Sequence, residues 1–166
     1  MDHSYILPFI KSITNVFETM LQSHVSIGKP ALKDSGTPSF DVSGIIGMSG
    51  DVEGTIVLSF PTPVAVACVK KFVGMELPAE HEDFADAIGE LVNMVTGNAK
   101  AEFQDKKVNI TCPSVVVGQD HIVFGSKEVV CIDIPCECDY GNFVVEVGLK
   151  QGTGAAKDSV AEVSAA

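Results

Sequence analysis

The chain has 166 residues, 46% of them apolar, and a formal net charge of −11 from 22 acidic and 11 basic side chains. That length suits one domain rather than two, and the apolar fraction supplies a core and excludes global disorder. The acidic balance, without any basic run, argues against a nucleic-acid or anionic-membrane partner.

The opening "MDHSYILPF" carries no basic segment or cleavage site and is not read as a leader. From Ile6 to Ser23 the spacing of Ile10, Ile13, Phe17, Met20 and Leu21 predicts a helix, with Pro8 tolerated in its first turn. Three strand-like runs follow, "HVSIGKPAL", "FDVSGIIGMS" and "VEGTIVLSF"; the last two are joined by "SGD", a hairpin signal. "PTPVAVACVKKFVG" is a shorter helix, opened by prolines and closed by Gly74. A long helix begins near Asp83, its acidic residues beside the positive end of the dipole. Three more strand-like runs, "VNITCPSVVVG", "EVVCIDIPCE" and "NFVVEVGLK", complete the pattern, with room for a short extra strand in "GQDHIVFG". Past residue 150 the composition collapses to Gly, Ala, Ser and a few charges. The expected organisation is therefore a domain over 1–150 and a frayed tail over 151–166. No apolar run approaches the ~20 residues that span a bilayer, so no membrane segment is expected.

Five cysteines, an odd number, fit a reducing cytoplasm better than a disulfide framework. Cys131, Cys136 and Cys138, with Cys112 and His121 upstream, invite a zinc reading. Their C-x4-C-x-C spacing matches no usual ligand pair, and cysteine is readily buried as a small hydrophobe, so no metal site is expected. The fragments "GQDHIVFGSK" and "GTGAAK" lack phosphate-loop spacing, which leaves no nucleotide cofactor to expect.

The order helix, three strands, helix, helix, three strands reads as two similar halves. Aligning Ile10, Ile13, Phe17 and Leu21 with Ile88, Leu91, Val95 and Ala99 sets Asn15 opposite Asn93 and Ser12 opposite Glu90. On the third helix, Phe84, Ile88, Leu91, Val95 and Ala99 share the face that must pack on a sheet. Asp83, Asp86, Glu90, Asn93 and Gly97 fall within roughly 80° of one another on the opposite side. Gly in an exposed helix interior costs about 0.8–1 kcal/mol relative to Ala, and Asn is also a poor helix former. Either this is a solvated face with tolerated residues, or it is a recognition face on which Gly97 clears space for a partner backbone.

"DAIGELVNMVTGNAK" resembles the active helix of the CheC-like chemotaxis phosphatases, whose signature is Glu-x-x-Asn, here Glu90-Leu91-Val92-Asn93. "PFIKSITNVFETM", "GKPAL" and "DVSGIIGMSGDVEGTIVLSF" are similar to the CheX type, and the resemblance spans about residues 4–150. It implies an α/β domain of the α+β kind, with long helices laid on an antiparallel sheet and pseudo-duplicated halves. It also implies a homodimer that dephosphorylates the aspartyl-phosphate of a CheY-like response regulator. The first helix offers Ser12-x-x-Asn15 and no acid, so one active site per subunit is implied.

The chemistry suits these residue types. An acyl phosphate is hydrolysed by in-line attack of water, and the resemblance implies that the required Mg²⁺ belongs to the regulator rather than to this chain. A carboxamide can orient that water without adding negative charge near phosphate. Glu90 is implied to pair with a lysine of the regulator, while Asp86 stands between steering the partner and serving the helix dipole. Asp83 is read as a dipole residue. The alternative to catalysis is a module of the same fold that docks a regulator or flagellar-switch component without hydrolysis. A stand-alone sensory domain with redox- or metal-sensing cysteines is the third reading.

Overall fold

A computed structural model describes residues 3–154. A short 3-10 turn, His3–Tyr5, leads into α1 (Leu7–Leu21). Then come the two-residue strands β1 (Ser26–Ile27) and β2 (Ala31–Leu32), and the nine-residue strands β3 (Val42–Gly50) and β4 (Val52–Phe60). Helices α2 (Thr62–Val73) and α3 (Glu82–Ala101) follow. The chain closes with β5 (Val108–Ile110), β6 (Ser114–Val117), β7 (Cys131–Cys138) and β8 (Gly141–Gln151). β8 thus runs one residue past the expected boundary, and the Gly152 N–H donates to Asp51 O at 2.9 Å. The rest of the expected tail, from residue 155, lies outside the described residues.

The eight strands form one antiparallel sheet in the order β1-β7-β8-β4-β3-β5, with β2 also on β7 and β6 also on β3. This is the α+β architecture expected from the sequence. The order reads the same when the halves are exchanged: β4 and β8 meet at the centre, and each half lends its short strands to the long strand of the other. "HVSIGKPAL" and "VNITCPSVVVG" are not single strands but broken ones, each interrupted by a proline that cannot donate to the ladder. Residues 28–30 face only Ile134 and Pro135, and residues 111–113 face only Ile46 and Gly47. Each break is therefore a one-residue bulge, set at the same place in both halves. "GQDHIVFG" holds no strand. Instead, the Ser39 N–H donates to His121 O at 3.0 Å, and the His121 ring lies 2.8 Å from both Ser43 Oγ and Gly118 O. That segment straps over one face of the sheet.

All three helices lie on the other face. Strand alternation turns Ile46, Met48, Ile56, Leu58, Ile134, Val145, Val147 and Leu149 toward them, and all are buried. Phe143 stacks on Phe17 of α1 (centroids 4.7 Å apart, planes within 4°) and on Phe60 (5.3 Å). α1 and α3 run antiparallel: Ser12 Oγ donates to Val95 O, Lys11 reaches Glu102 at 3.6 Å, and Tyr5 and Phe9 meet Phe103. Met20, expected on the packed face of α1, is instead 38% exposed at its rim.

Candidate active site

Helix α3 is fixed on its inner side by close contacts. His81 caps it by accepting the Asp83 N–H on Nδ1 at 3.1 Å, and the acids Glu82 and Asp83 occupy its first turn. Asp83 also lies 3.9 Å from the His81 ring, which supports its role in the helix start. A Cβ placed on Gly44 would come within 2.9 Å of Val92 Cγ1, so the bare glycine in β3 lets α3 sit close to the sheet. A Cβ on Gly89 would come within 3.3 Å of Pro113 Cγ, which sets α3 beside the β5–β6 bulge. Ile88, Leu91, Val92, Val95 and Ala99 are completely buried.

The opposite side is open, as the helical period requires. Asp86 and Glu90 are exposed, and Asn93 and Gly97 are half-buried. Glu90 and Asn93 stand one turn apart. Among the described residues, neither side chain takes a hydrogen-bond or ion-pair partner. Nothing lies within 4 Å of the position a Gly97 Cβ would occupy. The face thus offers a carboxylate, a carboxamide and a bare backbone patch in sequence along one line. It holds both a hydrogen-bond donor and acceptors free for an external group.

The matching positions of α1 differ. Asn15 is exposed where Asn93 is half-buried, and Ser12 is buried, its hydroxyl donating to Val95 O at 2.6 Å. Its counterpart Glu90 is exposed, so the two helices are related in packing and not in surface chemistry.

The cysteines and histidine considered from spacing do not come together. Cys136 and Cys138 turn toward the helices and are buried, Cys112 is exposed at the β5–β6 bulge, and His121 belongs to the strap. Burial pushes the Cys136 thiol up to about 12. A hydrogen bond with Cys68 lowers the Cys138 thiol, and the same bond, with burial, raises Cys68. Cys131 faces the other way, beside Asp133 and Glu146. Its thiol is raised to about 11, first by burial and then by the two carboxylates, with Lys33 opposing. Sequence reasoning missed this cluster, because Glu146 joins it only through the β7–β8 register; the strand alternation of "CID" was its one local signal.

The description "Chemotaxis phosphatase CheX" matches residues 42–137. CheY-P phosphatase CheX of Thermotoga maritima is 32% identical over 123 residues, covering 72% of this chain and 79% of the relative. A CheC-like superfamily protein from Shewanella sp. PV-4 superposes with a TM-score of 0.82 at 32% identity, over 90% of this chain and 99% of that one. The CheX of a CheX–CheY–BeF3–Mg²⁺ complex from Borrelia burgdorferi shares the fold, with a TM-score of 0.73 at 24% identity over 89% and 98% of the two chains. Among the described residues, no helix is long and apolar enough to cross a membrane. With a family match over more than half of the chain and a relative 32% identical across most of both sequences, the chain belongs to the chemotaxis phosphatase CheX family.

Proposed function

We propose that this chain hydrolyses the aspartyl-phosphate of a CheY-like response regulator, with Asn93 orienting the attacking water. The observation that carries the reading is the pair Glu90 and Asn93. They lie one turn apart on the outward face of α3 and are without partners among the described residues. A helix that served only its own fold would gain from Lys, Glu or Ala at position 93, since Asn is the poorer helix former. The Thermotoga maritima relative bears the name CheY-P phosphatase.

In this reading the regulator docks across α3. The Asn93 carboxamide oxygen accepts a hydrogen bond from a water, and its NH₂ remains free to donate. The water is thereby held in line with the phosphorus and opposite the leaving aspartyl oxygen. Mg²⁺, which this reading assigns to the regulator, would neutralise the phosphoryl oxygens. Positioning of this kind contributes on the order of 10²–10⁴ in rate. Glu90 stays clear of the phosphoryl group, which would repel it, and pairs with a partner cation. Asp86 extends the acidic rim that steers the encounter, and Gly97 admits the partner backbone. Each subunit holds one such site, because α1 presents the buried Ser12 where α3 presents Glu90.

The test is the loss of phosphate from a panel of phosphorylated response regulators, with and without the intact protein. Accelerated loss from at least one regulator supports the reading. Binding to a regulator without any acceleration would leave a docking module instead.

A further inference from the structure

We propose that Cys131, Asp133 and Glu146 form a site for one divalent transition-metal ion, with zinc the best chemical match. The site lies on the sheet face away from the helices and does not depend on the phosphatase reading.

Cys131 and Asp133 are two apart on β7 and so share a face, and Asp133 is directly opposite Glu146 on β8. Like charges directly opposite each other destabilise a sheet, more so where they are withdrawn from water. Glu146 is 5% exposed at its side chain and is balanced by the Lys33 ammonium, itself 7% exposed, and by Ser39 Oγ, which donates to Oε1 at 2.7 Å. Asp133 makes no such direct contact: burial raises its carboxyl above the usual range, and the Lys33 charge opposes this only in part. Its Oδ1 is sealed from solvent and has no hydrogen-bond partner. An orphaned, occluded carboxylate oxygen is costly unless a cation or proton completes it.

A proton on Asp133 would neutralise the cluster, and so would a divalent cation. Two carboxylates and one ammonium leave a single negative charge. A divalent ion that also displaces the Cys131 proton brings the cluster to neutrality. One ligand atom from each of the three residues lies within 4.8 Å of the others. Metal–ligand bonds of about 2.0–2.3 Å in a tetrahedron require roughly 3.5 Å between ligands, so the side chains need close by no more than about 1.3 Å. A thiolate with two carboxylates suits zinc, whereas magnesium and calcium call for oxygen alone.

Space for the remaining coordination position is present. Gly148 is opposite Cys131, and the Cβ it lacks would stand 3.9 Å from Cys131 Cβ. Cys131 and Glu146 line a cleft of about 770 Å³, together with Lys33, Thr55, Phe124 and Val130. Three protein ligands with a fourth position toward a cleft describe an accessible ion rather than a sealed structural one.

The experiment is a titration of the intact, reduced chain with Co²⁺ followed by Zn²⁺. The expected result is thiolate-to-cobalt charge-transfer absorption that saturates at one ion per chain and is bleached by zinc. Cys131→Ser should abolish that absorption, and Cys112→Ser, at the exposed thiol, should leave it intact. The near-isosteric Asp133→Asn is the second arm and should weaken cobalt binding at least tenfold. Absence of the absorption in the parent chain overturns the site, as does its survival in Cys131→Ser, its loss in Cys112→Ser, or unchanged affinity in Asp133→Asn.

Discussion

Ser12 Oγ donates to the Val95 carbonyl at 2.6 Å, tying α1 to α3 two residues beyond Asn93. It is a buried bond between residues 83 apart in sequence. Ser12→Ala removes the donor, and Val95 O lies inside helix α3, where a backbone N–H one turn on can still serve it. The expected loss is about 1 kcal/mol, the net worth of such a bond. Urea denaturation checks this; a midpoint that did not move would mean the tie contributes nothing.

Asn93→Ala should leave the fold intact, with thermal stability level or slightly raised, because Ala is the better helix former. Catalysed dephosphorylation should fall by about 10² or more. Affinity for a stable phospho-mimic of the regulator should hardly change, since the water contact matters most in the transition state. A variant that lost stability and kept its rate would make Asn93 a structural residue and sink the mechanism.

Glu90→Ala should weaken association with the regulator while leaving the rate at saturation nearer to the parent value. Added salt should reproduce part of the loss in the parent and little in the variant, as expected for an exposed ion pair. Binding measured at two ionic strengths decides it; equal salt sensitivity in both proteins would remove Glu90 from the interface.

The Cys131 thiol is raised from 9.0 to about 11 in the folded chain. A raised value means that folding favours the protonated thiol. The associated stability is fully present below pH 9 and is lost as pH climbs through 11. Cys131→Ser should therefore lose less stability than the parent between pH 8 and pH 11, measured by denaturant midpoints in metal-free buffer. Parallel losses in the two proteins would contradict this.

Static light scattering at micromolar concentration should report about twice the 17.5 kDa chain, in keeping with the homodimer that the CheX-type resemblance implies. A mass of one chain would refute the dimer and leave the α3 site untouched.

Much of this was legible in the sequence because it is periodic. The nine-residue strands β3 and β4 and the hairpin between them follow from β-branched runs around Ser49-Gly50-Asp51. The outward placement of Glu90, Asn93 and Gly97 follows from 100° steps on a helix whose apolar stripe is unambiguous. The partner of each short strand was not legible. β1 and β2 find β7 about a hundred residues away, and no local pattern encodes that pairing. Nor does sequence spacing bring Glu146 to Asp133; the sheet register does. The closeness of α3 to β3 was equally hidden, because it rests on the side chain that Gly44 lacks.

The exchange of short strands has a consequence for how the molecule comes into being. Each half closes its sheet only by clasping the other, so neither can be completed on its own. A fragment ending before α3 would leave β3 without β5 and β6, and one beginning at α3 would leave β7 without β1 and β2. Such bare edges invite association. Severed at the loop between α2 and α3, the two pieces should be poorly ordered apart and should rebuild the sheet when mixed. Synthesis from one end to the other imposes the same order of events: β3 and β4 leave the ribosome early, but they must wait for β8 before the centre of the sheet can close.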